Sequence, residues 1–421
     1  MAMESVNGLF LQALRASLEN RTVDWETELT QDEWKELFAM AASHNVLPLI
    51  YSSTVHCPAA QKADSQIFLP YKRQTLQAVV LQTVKTSEFL KLLPALESAG
   101  VTPVVVKGLI CRELYPNPDY RMSADEDVFI PPEQFERCHK AMCSCAMELL
   151  DPKQDMADYE IPYGKKGSPL RIELHKHLFP PESEATGELN RFFDGVHERA
   201  ITRTVQGVAI PAMGDTDHLF YLICHAFKHF LHSGVGIRQV CDICLYANAY
   251  GANIDWQLLF RQCREIHGEL FARALFQIGQ KYLTFDPEKA CFPEIWRAVA
   301  VDETAILEDL LDSGVFGASS MSRKHSSNIT LNAVSAEKQG RKGGSGVLKT
   351  VFPPARMLSG RYPYLKEKPF LLPFAWASRI LSYGKETAAG SADNSAAQSI
   401  KIGSGRVELL KKYGIIGSDT K

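Results

Sequence analysis

Arg121-Met122-Ser123-Ala124-Asp125-Glu126-Asp127-Val128-Phe129-Ile130, preceded by Thr102-Pro103-Val104-Val105-Val106-Lys107-Gly108, is the stretch on which the fold turns. Val104 to Val106 is a short β-branched run of the kind that makes a buried strand. The apolar run ending at Ile130 is stopped by Pro131-Pro132, and reads as the next strand. In extended backbone the side chains alternate, so Asp125 and Asp127 face the same way, about 7 Å apart. Two acids sharing a face repel each other unless a positive charge sits between them. Mg²⁺ suits that place, because it is held by one or two carboxylates together with substrate phosphates.

Working outward, the run Arg171-Ile172-Glu173-Leu174-His175 has the same alternation. Ile172 and Leu174 face one side, while Glu173 and His175 face the other. Glu173 then becomes a third carboxylate beside Asp125 and Asp127. Three carboxylates on neighbouring strands can hold Mg²⁺ or Mn²⁺ for phosphoryl transfer, a reaction that needs mostly positioning and charge neutralisation from the protein. Lys107 adds a point charge, and Gly108 lets backbone come close to a phosphate. Arg121 has the fork to bind phosphate oxygens, and Ser123 offers a hydroxyl.

The flanking sequence is mostly helical in period. Residues 5–18, 31–50 and 70–99 carry apolar residues at spacings of three and four, with Thr30 or Asp32 as a cap and Gly100 as a stop. In the third of these the expected core stripe includes Leu76, Val79, Val80, Val84, Phe89, Leu90, Leu93 and Leu96. Residues 109–115 and 133–150 read as helices, 157–163 and 169–177 as strands, and 201–213 as a hairpin turned at Gly207. A helix beginning at His218 and capped by Asp217 opens a helical region that runs to about 315. The stretch 317–347, rich in Ser, Gly, Lys and Asn, reads as a linker, and 348–384 as an aromatic, proline-punctuated segment.

The expected organisation is an N-terminal helical region (1–66), a mixed-sheet core (67–200), a helical domain (201–316), a linker (317–347) and a C-terminal segment with its tail (348–421). The chain of 421 residues exceeds one ordinary core. Its 45% hydrophobic and 23% charged content is that of a globular protein. A net charge of -3 gives no overall grip on nucleic acid. Ten cysteines without a framework pattern read as reduced thiols. Met1-Ala2-Met3-Glu4-Ser5 lacks a basic n-region, and no apolar run is long enough to span a bilayer, so the expected location is the cytoplasm.

Other motifs have plainer readings. His225 and His229 lie one helical turn apart, but Ala226 stands where a zinc-hydrolase helix needs glutamate. Arg238 and Asp242, spaced i,i+4, read as a helix pair. Cys241 and Cys244 read as packing; His175 and His177 have the placement to supply metal ligands from one strand face, with the plainer reading that they flank Glu173.

Taken together, Val104-Val105-Val106-Lys107-Gly108, Leu114-Tyr115-Pro116, Arg121 through Asp125 and Asp127, and Ile172-Glu173-Leu174-His175 resemble the uncharacterised bacterial nucleotidyltransferases of the DNA-polymerase-β-like superfamily. Related abortive-infection toxins carry a similar series, and the likeness extends over roughly 30–320. It implies an α+β fold, a small mixed-sheet nucleotidyltransferase core between helical regions. It also implies transfer of a nucleoside monophosphate from an NTP such as ATP, with Mg²⁺, to an acceptor that is a small molecule, a protein or an RNA. On that resemblance Asp125, Asp127 and Glu173 are metal ligands. Lys107, Gly108 and Arg121 contact phosphates, with Ser123 beside them, and His225 and Lys228 face the nucleotide. Two departures stand out. The usual Gly-Ser loop is Lys-Gly, and Glu126 fills a place that relatives give to an apolar residue. Glu126 sets the start of the strand at Asp127 and motivates an alternative, a non-catalytic nucleotide-binding module. A toxin acting on tRNA is the other alternative.

Overall fold

The computed structural model describes residues 5–232, 234–314, 321–338, 358, 362, 364–378 and 396–417. Two compact units emerge: Met1–Ala226 with Ile237–Glu303, and Phe227–Gly236 with Thr304–Lys421. The architecture is α+β, with helices flanking one mixed sheet.

In the first unit, helix α1 (Val6–Leu18) is capped by Ser5, whose side chain accepts from the Gly8 N–H. Helix α2 (Gln31–Ser43) starts with a full capping box between Thr30 and Glu33. The single helix expected over 31–50 is broken at Asn45, where φ is 56°, and α3 (Leu47–Thr54) restarts with proline in its first turn. After the short α4 (Pro58–Lys62), Trp34, Phe38, Phe68 and Tyr71 stack into an aromatic core.

Helix α5 (Leu69–Ser98) ends as its glycine predicted. Gly100 takes φ 70°, its N–H donates to Glu97, and the Val101 N–H donates to Leu96, a Schellman motif. The expected core face needs correction over its first half. Leu76, Val80 and Val84 are 56%, 60% and 41% exposed, whereas Thr75, Gln82, Lys85 and Thr86 are buried. The reason is a polar neighbour. Lys85 Nζ donates to the carbonyls of Ser123 (2.5 Å) and Ala124 (3.0 Å), and Gln82 Oε1 accepts from the Ser123 N–H (3.0 Å). Only from Phe89 onward is the buried face apolar.

The sheet has the order β3-β4-β5-β2-β1-β7-β6. Its strands are β1 (Val104–Val106), β2 (Glu126–Phe129), β3 (Met147–Leu149), β4 (Glu160–Lys165), β5 (Arg171–His175), β6 (Ile201–Val205) and β7 (Val208–Ala212). β1 runs antiparallel to β2, and β2 runs parallel to β5 with Asp127 opposite Glu173. A short α6 (Gly108–Arg112) follows β1. The helix expected over 133–150 stops early: α7 (Phe135–Ser144) ends before Ala146, which has φ 60°, and the chain then forms edge strand β3. The hairpin β6–β7 turns through Gln206 and Gly207, both at positive φ as a tight two-residue turn requires.

Helix α8 (Asp215–His232) begins two residues before the expected cap, with Asp215 and Asp217 in its first turn. Asp215 is held there by Arg203, Tyr246 and Asn253. Helices α9 (Ile237–Tyr250), α10 (Trp256–Glu265), α11 (Glu269–Tyr282) and α12 (Glu294–Arg297) follow, with Trp256, Phe276, Phe292 and Trp296 packed ring on ring.

In the second unit, α13 (Thr304–Ser313) and α14 (Met321–Lys338) are joined through Asp309, which binds both Arg323 and Arg406. The linker expected over 317–347 is therefore a helix across 321–338, and the rest of that span lies outside the described residues. Serines read as loop-formers here turn inward: Ser326 and Ser327 are buried. Helix Ala396–Lys412 approaches closely enough that a Cβ on Gly403 would stand 2.5 Å from Ile329. Of the aromatic segment, Leu358, Leu365 and Ala375 form a small cluster, with Tyr362 and Trp376 packed against it. Residues 348–357, 359–361, 363 and 379–384 lie outside the described residues.

Candidate functional site

Strands β2 and β5 build the site. Their parallel register places Asp127 beside Glu173 and Phe129 beside His175 on one face, with Val128 and Leu174 on the other. The ligand atoms of Asp127, Glu173 and His175 lie within 4.8 Å of one another. Asp125, one alternation before Asp127, accepts a hydrogen bond from Glu173. Asp127 and Glu173 thus share a face as alternation implied, whereas Asp125 lies just ahead of β2 and is not among the grouped ligand atoms.

Asp127 is the most enclosed of the group, at 1% exposure. Its Oδ1 meets Lys107 Nζ at 3.0 Å and His175 Nε2 at 2.9 Å. Its Oδ2 is buried and has no hydrogen-bond partner. An ionised carboxylate oxygen without a partner is costly, and a divalent cation bridging to Glu173 would satisfy it. Oxygen-rich donors of this kind fit Mg²⁺ or Mn²⁺.

Charge orders the group. Burial alone would raise the Asp127 pKa, but the Lys107 ammonium and His175 hold it well below the usual carboxylate range. Burial likewise works against the charged Lys107, and the Asp127 charge overcomes it, so the ammonium stays protonated. Glu173 is pushed up to about 9 by burial and by the charges of Asp127 and Asp125. Asp125 is raised by burial and then by Asp127. A cluster in which Asp127 is ionised while Glu173 retains its proton is short of positive charge.

Lys107 is aimed by its backbone. It takes φ 43° and ψ −94°, a conformation uncommon for a residue with a side chain. Its N–H donates to His218 Nε2 at 3.0 Å, and its ammonium reaches His225 Nε2 at 3.0 Å. An ammonium has only protons to give, so His225 accepts at Nε2 and carries its proton on Nδ1. Gln239 Nε2 lies 2.9 Å from that Nδ1, so the amide must turn to offer its oxygen to the proton there. His218, buried and repelled by Arg203, is lowered to about 3 and stays neutral, as an acceptor must.

Glu126 begins β2 on the opposite face from Asp127, so the strand starts one residue earlier than expected. It is fully buried, and Arg112 Nη2 meets its Oε1 at 2.5 Å while Ser123 Oγ donates at 3.0 Å. Arg112 is itself buried and also reaches Thr86 and Ser123. The charge that looked awkward in the sequence is neutralised away from the metal face. Gly108 packs against this pair: a Cβ there would sit 2.4 Å from Glu126 Oε2.

Not all the expected nucleotide contacts meet. Lys107 and His225 join the acidic cluster. Ser123 is taken up by Gln82, Arg112 and Glu126. Arg121 is 4% exposed and forks onto Asp242 (3.0 and 2.6 Å), which also accepts from the Tyr115 hydroxyl. Lys228 belongs to the second unit. Sequence alone favours His175 as a flank of Glu173 over a metal ligand and gives no role to His218 or Arg112. Alternation along β5 was the signal for His175, since it shares the face of Glu173.

Among the described residues the acidic–histidine group is the one candidate metal cluster, and His225 and His229 form none. All ten cysteines are free thiols. No described helix is long and apolar enough to cross a membrane. No curated protein matches the chain. The profile of a family described as "Uncharacterised nucleotidyltransferase" matches residues 30–284, more than half of the chain and the whole of the acidic site. On that match the chain belongs to this nucleotidyltransferase family.

Proposed function

We propose that the chain moves a nucleoside monophosphate from an NTP onto an acceptor hydroxyl or amine, with Mg²⁺ or Mn²⁺ as its ion. The observation that carries this reading is the partnerless, buried Oδ2 of Asp127 beside Glu173 and His175. A bound divalent ion would neutralise phosphate charge and ease loss of the acceptor's proton. Asp127 and Glu173 would hold it, with Asp125 completing the set. His175 donates to Asp127 Oδ1 and helps fix the direction of its other oxygen. Lys107 supplies the fixed positive charge that keeps Asp127 ionised.

Glu126 is the feature that favours a non-catalytic binding module, and its pairing with Arg112 on the other face of β2 supports the catalytic reading instead. The acceptor is a small molecule, a protein side chain or an RNA end. Free thiols throughout support a reducing compartment such as the cytoplasm.

The test is incubation with each labelled NTP, Mg²⁺ and a fractionated lysate. Label should appear in one class of acceptor and disappear for Asp127→Asn and Asp125→Asn while the fold is kept. Transfer retained by both variants would remove the mechanism.

A further inference from the structure

Arg238 stands out once Arg121 is accounted for. It lies in the first turn of α9 and is 9% exposed. Its Nη1 is sealed from solvent and donates to nothing. The i,i+4 partner suggested by its spacing, Asp242, is occupied by Arg121 and Tyr115. Among the described residues no carboxylate comes within ion-pair distance of it. Such a guanidinium is costly, because a charge taken from water ordinarily finds a counter-charge.

Its surroundings say what is missing. The next residue, Gln239, binds His225, which binds Lys107 in the acidic cluster. Asp125 and Lys85 are both within electrostatic reach of Arg238, and Lys85 holds the carbonyls of Ser123 and Ala124 just before Asp125. Arg238 thus lies within reach of Asp242 and Asp125 but pairs with neither, and Arg121 and Lys85 add positive charge around it. A planar fork of donors matches phosphate oxygens.

We infer that Arg238 is the receptor for the polyphosphate of the incoming nucleotide, gripping the part that leaves as pyrophosphate. This rests on the nucleotidyl-transfer reading but assigns a residue that the motif series does not contain. The role expected of Arg121 passes to an arginine more than a hundred residues downstream, and Arg121 becomes the brace that keeps Asp242 from quenching it.

The probe is inorganic pyrophosphate, titrated calorimetrically into the full chain without added metal. Wild type should bind it. Arg238→Met should weaken binding roughly 10- to 100-fold, the range for losing a charge-assisted hydrogen-bond pair. Its melting temperature should hold or rise, since an unpartnered buried charge has been removed. Arg238→Lys, which keeps the charge without the fork, should fall between. Equal binding by wild type and Arg238→Met overturns the inference, as does absence of binding by wild type. So does a lower melting temperature with affinity unchanged, the mark of a structural role. If the methionine variant does not fold, the lysine variant decides: weaker binding at an unchanged melting temperature supports the receptor, and equal binding overturns it. Labelled-NTP transfer is run alongside. Arginine-dependent pyrophosphate binding without transfer to any acceptor sinks the proposed function and leaves this site standing. Transfer with pyrophosphate binding indifferent to Arg238 does the reverse.

Discussion

Replacing Arg112 by methionine leaves the Glu126 carboxylate fully buried without its counter-charge. The two side chains meet at 2.5 Å with neither exposed. At an effective dielectric of 20, unit charges at that distance attract by about 7 kcal/mol, much of it offset by the cost of keeping both from water. Removing one partner is worse than never having had the pair, and the expected loss is about 3–5 kcal/mol. Thr86 Oγ1 and Ser123 Oγ also lose the donors that Arg112 gives them. In a unit of this size the melting temperature should fall by about 10 °C. Arg112→Met with Glu126→Leu should recover most of that fall, because an apolar pair of similar volume replaces an ionic one. The assay is thermal denaturation of the wild type, both single variants and the double variant. A drop of only a degree or two for Arg112→Met, or a double variant as weak as the single, would refute the claim that the pair neutralises a buried charge. Glu126→Gln should keep most of its nucleotidyl transfer, which separates this carboxylate from those on the other face.

His218 stays neutral in the fold to about pH 3, whereas the unfolded chain takes up the proton near 6.5, so its contribution to stability is whole above that pH and shrinks as pH falls; between pH 7 and 5 wild type should lose about 2 kcal/mol more than His218→Asn, measured by urea unfolding. Asp309→Asn removes the charge shared by Arg323 and Arg406 and should cost several kcal/mol, about 3 or more, read as lower protease resistance of the second unit. Gly403→Val drives a branched side chain into Ile329 and should cost about 1–3 kcal/mol by the same readout. Mg²⁺ should raise the melting temperature of wild type and leave that of Asp127→Asn unchanged.

The parts of the fold legible in sequence were those fixed by neighbours along the chain. The Thr30 cap, one of the two offered, the Gly100 stop and the Gly207 turn depend on a few adjacent residues, and each formed locally. The alternation that put Asp127 and Glu173 on one face is equally local, and pairing of β2 with β5 completed it. What was hidden depended on distant partners. The first half of α5 buries Gln82 and Lys85 because Ser123 and Ala124 lie against them, and hydropathy at helical spacing pointed to the opposite face. The clamp on Lys107 comes from His218 and His225, more than a hundred residues away in the sequence. α14 has a linker's composition, and packing against Gly403 and Asp309 makes it a helix. Arg238 was misread because a favourable i,i+4 spacing named a partner already claimed by Arg121.

Helix α8 starts in one unit and finishes in the other, and the chain then re-enters the first at Ile237. Phe230 and Val235, on that ten-residue excursion, have carbonyls claimed by Arg406 and by Ser313, both beyond residue 303. A fragment trimmed at 303 would therefore keep an orphaned apolar strip and shed the groups that satisfy it. Anyone wishing to dissect this enzyme into pieces should excise 227–236 and bridge the gap, or else leave the polypeptide whole.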